Sequence, residues 1–140
     1  MTTTGLEAFD STLQKTHMWL NDVASALSLE NRHQAYLVLR AVLQALRDRL
    51  SVEEAAQLGA QLPMLLRGIY YEGWTPNGKP LKWHLAQFLA AICDSYPLCE
   101  DLDPERVARA VFKVIASRIS EGEIDDVKHV LPKELSGLWP

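Results

Sequence analysis

The sequence predicts an all-α protein: a compact helical bundle built from two sequential, internally duplicated units of about three main helices each. Two observations carry that expectation. Apolar residues recur at helical spacing along most of the 140 residues, and no run alternates with the period of two that a half-buried strand needs. The chain also overlays on itself at an offset of 69, where Arg40 to Tyr70 set on Arg109 to Trp139 gives ten identities in 31 positions without a gap. A random overlay of that length gives about two. The expected repeat units cover about residues 6–75 and about residues 80–140 of a single domain spanning 1–140.

Each element follows from a local signal. From Leu6 to Leu27 the apolar stripe Leu6, Phe9, Leu13, Leu20, Ala24 and Leu27, widened by Trp19 and Val23, predicts a first long amphipathic helix. Its equivalent under the offset is Leu81 to Tyr96. Capping side chains at Ser28-Leu29-Glu30-Asn31 open a second helix ending near Leu50. Ala35, Leu39, Val42, Leu43, Leu46 and Leu50 form its buried face, and Arg32, Arg40 and Arg47 fall on the solvated side. In the second half Asp103-Pro104 is a cap followed by proline at the first helical position, and Val107, Val111, Val114, Ile115 and Ile119 carry the stripe.

Ser51-Val52-Glu53-Glu54 and Ser120-Glu121-Gly122-Glu123 each fit a capping box, in which serine accepts from the N3 amide and glutamate accepts from the cap amide. A short third helix follows in each half, and Pro63 or Pro132 breaks it. Beyond each proline come one or two amphipathic turns, with Gly68 and Gly137 inside them, where a close helix contact is the expected compensation for glycine's cost. Tyr71 to Pro80 reads as the inter-repeat loop.

Composition narrows the function. A net charge of −4 disfavours a generic nucleic-acid partner. The apolar runs fall short of the roughly 18 residues of a membrane span, and the start carries no basic, apolar signal pattern, so a cytoplasmic location is the expectation. Cys93 and Cys99 match no redox or zinc spacing and read as reduced packing thiols. His17, His33, His84 and His129 show no His-x-x-x-His spacing, so no metal site is expected. No nucleophile elbow, phosphate loop or dinucleotide fingerprint occurs, so no catalytic residue and no cofactor is assigned and the chain reads as a non-enzyme. The duplicated pairs Arg40 and Arg109, and Arg49 and Arg118, are expected to bond the last carbonyls of the second helix or the capping-box glutamate.

One longer signature resembles a known family. Leu46, Arg49-Leu50, Glu54-Ala55, Leu58, Gln61-Leu62-Pro63, Leu66, Tyr70-Tyr71 and Trp74, with the later Glu123-Ile124, Val127, Leu131-Pro132 and Leu138-Trp139, is similar to an uncharacterised family of bacterial helical proteins, domain of unknown function 2267. The resemblance implies an all-α fold and bacterial origin; it implies no activity, substrate or catalytic residue.

The functional expectation is a non-enzymatic protein–protein interaction module, self-associating or with an unknown protein partner. The alternative is a small-ligand-binding protein with a pocket between the two halves. Both place the site where the repeat was not copied, around the loop, with Arg67, Tyr70, Tyr71, Trp74, Trp83 and His84 as binding residues. Amphipathic aromatics of this kind favour interfaces and pockets. The competing reading is a linker held down on the core by Trp74.

Overall fold

A computed structural model describes residues 4–97 and 100–140, and every regular element among them is a helix. In chain order these are α1 (Glu7–Leu27), α2 (Arg32–Arg49), α3 (Val52–Ala60), α4 (Met64–Tyr71), α5 (Leu85–Cys93), α6 (Pro104–Arg118), α7 (Glu121–Val130) and α8 (Lys133–Ser136). None of them is long and apolar enough to cross a membrane.

The caps stand where the sequence puts them. Asn31 accepts from the Gln34 amide at 3.0 Å, Ser51 from Glu54 at 3.2 Å, Ser120 from Glu123 at 3.3 Å and Asp103 from Arg106 at 3.3 Å, each satisfying one orphan donor of a first helical turn. Both Leu-Pro corners lie between helices: Pro63 and Pro132 take extended ψ values of 150° and 157° and immediately precede α4 and α8.

α2 is the axis of the molecule, packed against α1, α4, α5 and α6. Val38, Leu39, Val42, Leu43 and Leu46 are sealed from solvent, and Ala35, Ala41 and Ala45 let neighbouring helices come close on the other sides. Because four helices surround it, burial runs around its circumference and includes Arg47, which the one-faced stripe had left in solvent. The second half contributes Phe88, Ile92, Val107, Val111, Phe112 and Ile115 to the same core, capped at the end of the chain by Trp139, whose ring stacks on Phe112 at 4.1 Å and 12°.

Elements at the offset of 69 occur in the same order, and α2 and α6 end at Arg49 and Arg118. They differ in length. α1 has 21 residues against nine in α5, and α4 has eight against four in α8. The fifth helix therefore does not fill the expected Leu81 to Tyr96. Its front is drawn into extended chain, with the Leu81 amide bonded to Asp48 O at 2.8 Å, and Glu134 accepts from the Leu85 amide at the true start. Four further expectations are corrected. Leu6 and Phe9 are half exposed, because α1 starts beyond the reach of its neighbours' core contacts. Gly68 has no neighbour that a Cβ would meet, so no close helix contact requires glycine there. The duplicated arginines do not cap the second helices: Arg49 bonds Trp83 O, Arg118 bonds Asp22, Arg40 lies over the Tyr36 ring, and Arg109 bonds Glu105 and Gly137 O. Cys93 is disulfide-bonded and not a free thiol, while Cys99 lies outside the described residues.

Candidate functional site

The polar side chains in the last turns of α2 hold the linker. Gln44 donates to Ile69 O at 2.9 Å, Arg47 to Tyr70 O at 2.8 Å and Glu72 O at 2.6 Å, and Arg49 to Trp83 O at 2.9 Å. Asp48 receives the Leu81 amide on its carbonyl, and Lys79 lies 3.9 Å from its carboxylate. Four consecutive or near-consecutive residues of one helix end thus satisfy backbone groups from Ile69 to Trp83, which explains how so long a connection stays ordered.

That arrangement decides where the six candidate residues sit. Tyr70 is 0% exposed, its hydroxyl donating to Ala55 O at 2.8 Å; burial raises its pKa well beyond the ordinary phenol value. Tyr71 stands edge-on to Tyr70 and covers Gly59 so closely that a Cβ there would overlap its ring. Trp74 tilts against Tyr71 at 5.5 Å, half-buried, with its indole nitrogen buried and unbonded. Arg67 donates to Gly59 O and Ala60 O at the C-terminus of α3 and to Leu62 O in the corner beyond it. His84 and Trp83 lie on the other side of the linker: Trp83 is half-buried, and His84 is exposed with Nδ1 3.0 Å from Glu134. The structure brings Tyr70, Tyr71 and Trp74 together as a packed ladder. Arg67 meets the same Gly59 that Tyr71 covers, while Trp83 and His84 make their polar contacts with Arg49 and Glu134.

Hollows also open away from the linker, and two of them bear on the site. One, about 680 Å³, runs between α1, the α3–α4 corner and the end of α6 and is lined by Lys15, Trp19, Gln61, Arg67 and Arg118 among others. Two of its three cations are already engaged, Arg67 by carbonyls and Arg118 by Asp22 at 2.7 Å. The other, about 400 Å³, lies where the first turns of α4 cross α1 and is walled by Phe9, Leu13, Met64 and Leu65 with Gly68 at its edge. The crossing is pinned by the Leu65 amide, which donates to Thr12 Oγ1 at 2.8 Å. Of the residues lining this second hollow Phe9 is 50% exposed, Met64 48% and Leu65 39%, and Leu6, three residues before Phe9, is 50% exposed. Clustered exposed apolar residues of this size mark interaction faces more often than scattered ones do.

This face was missed because Leu6, Phe9 and Leu13 share helical spacing with the residues that are buried. The one signal available was Gly68, an unforced glycine inside a helix. Apart from Thr4 and Thr12, the side chains that line the hollow are apolar.

A family model described as an uncharacterized conserved protein (DUF2267) matches residues 16–138. No curated protein matches the chain.

Proposed function

We propose that this chain, which belongs to the DUF2267 family of uncharacterized conserved proteins, is a non-catalytic helical module that pairs with a second copy of itself through the start of α1 and the start of α4. The observation that carries the reading is Gly68. A glycine inside a helix costs up to about 1 kcal/mol against alanine, and here nothing lies within 4 Å of where a Cβ would stand. The fold gains nothing from the missing side chain. What the missing side chain does provide is the open hollow.

A second copy is the occupant the face itself suggests. The projecting residues, Leu6 and Phe9, and the hollow between Phe9, Leu13, Met64 and Leu65 lie on one surface. Two copies related by a twofold axis can each seat the projection of one in the hollow of the other, as an isologous interface requires. Burying one such side chain contributes about 1.5–3 kcal/mol before association costs are met, and a patch this small belongs to the weak, transient class.

The test is sedimentation equilibrium of the wild-type chain beside Gly68→Trp and Gly68→Ala. The expected result is a concentration-dependent mass for wild type, a strictly monomeric Gly68→Trp that remains folded, and a Gly68→Ala that unfolds at slightly higher denaturant. A wild type that stays monomeric at all concentrations, or a Gly68→Trp variant that associates as wild type does, contradicts the proposal.

A further inference from the structure

Glu54 and Glu123 occupy positions that differ by 69, each the third residue of the helix it helps to start, and α3 packs on α7. A capping box would assign each carboxylate to the amide of its own cap serine. In the second half that amide is taken instead by Gln61, whose Oε1 lies 3.2 Å from Ser120 N. The two carboxyls turn inward, 7% and 6% exposed, at the contact of α3 with α7, and Glu54 is the neighbouring carboxyl that acts on Glu123. Each is left with an Oε2 that is buried and without a partner.

Ionised carboxylates only accept, so a hydrogen bond between two of them requires a proton on one. Two like charges in a seam from which water is excluded would also repel. Burial first, then the hydrogen bond and charge of Glu54 and the charge of Asp126, push Glu123 up to about 8. The surroundings do not relieve this. From α4 the pair faces Tyr70, and the nearby cation of α2, Arg47, is held by Tyr70 O, Glu72 O and Asp48. Glu134 of α8 is turned to His84 and the start of α5. Glu53, Glu121, Asp125 and His129 are exposed, and Lys128 is half-buried.

We propose that Glu54 and Glu123 share a single proton, and that this carboxyl pair is a pH-sensitive latch joining α3 of the first half of the chain to α7 of the second. With one proton between them the pair is an internal hydrogen bond across the contact. With none it is two charges facing each other, and α3 separates from α7. An acid whose folded pKa is raised binds its proton more tightly folded than unfolded, so its contribution is complete below the ordinary value of 4.5 and is lost as pH rises through about 8. The latch is closed in neutral solution and opens in mild alkali.

The experiment follows thermal unfolding and amide-exchange protection of the full chain from about pH 4 to about pH 10, for wild type and Glu123→Gln. Glutamine keeps a permanent donor where the shared proton was. Wild type is expected to lose Tm progressively as pH rises from about 4.5 to about 8 and to level off above it, with protection in α3 and α7 falling about tenfold or more over that range while α2 keeps its own. Glu123→Gln is expected to show a flatter profile and to exceed wild type in alkali. An infrared titration of wild type supplies a reading that does not depend on any variant folding: a protonated-acid carbonyl band should be present at neutral pH and bleach in alkali. A missing band at neutral pH, a flat wild-type profile, or an identical loss between about pH 4.5 and about pH 8 in Glu123→Gln overturns the proposal.

Discussion

Arg47 shows how a single side chain can be placed by its neighbours more than by its own character. It is 6% exposed, and its guanidinium is divided between Tyr70 O, Glu72 O and Asp48. Removing it leaves two linker carbonyls without their donor and Asp48 without its buried partner. Arg47→Met should therefore lose about 2–4 kcal/mol in urea unfolding. Arg40→Met, which gives up a contact with the Tyr36 ring, should stay within about 0.5 kcal/mol of wild type. Equal losses for the two would mean that the linker is not anchored by α2. The sequence concealed Arg47 because a period of 3.6 reports one buried face, and α2 is packed on several. It concealed the Glu54–Glu123 contact for a different reason. The local motif gave each glutamate a complete role within its own turn, whereas the Gln61 side chain takes the Ser120 amide and frees the second carboxyl to face the first.

At the scale of elements, what proved readable was chemistry confined to a few residues. Asn31, Ser51, Asp103 and Ser120 cap the helices expected of them, and Pro63 and Pro132 stand at helix starts, because a hydroxyl, carboxylate or carboxamide oxygen accepting from N3 and a ring clashing with the preceding turn need no distant partner. Elements whose limits depend on distant contacts were not readable. The run from Leu81 has helical spacing, but backbone bonds to Asp48 and Arg49 hold its first residues extended, and α5 waits until Leu85. The linker is likewise an element made by its contacts. Trp74 packs on Tyr71, which in turn covers Gly59 of α3, so Trp74→Ala should lower stability by about 2–3 kcal/mol while preserving helix content by circular dichroism. A Trp74→Ala protein of unchanged stability that no longer associates would instead return the binding surface to the linker.

Over the whole molecule, the all-helical class was legible, since amphipathic spacing and punctuation agree along the chain. The proposed pairing face was not, because exposure is a property of the assembled bundle. Leu6, Phe9 and Leu13 carry the same spacing as Leu20 and Leu27, and only the place where α4 crosses α1 separates the open end of that stripe from the buried one. The tyrosine and tryptophan residues that drew attention in the linker are largely consumed in holding it down. Glycine at position 68, with neither a positive φ nor a close neighbour to require it, is what remains to be explained by function.

The most direct test of the self-pairing face is a residue-resolved dilution series of amide resonances. The account predicts concentration-dependent shifts confined to the first two turns of α1 and to α4, centred on Phe9 and Leu65, and abolished by Gly68→Trp. Resonances that do not move on dilution, or that move chiefly between Tyr71 and His84, would contradict it.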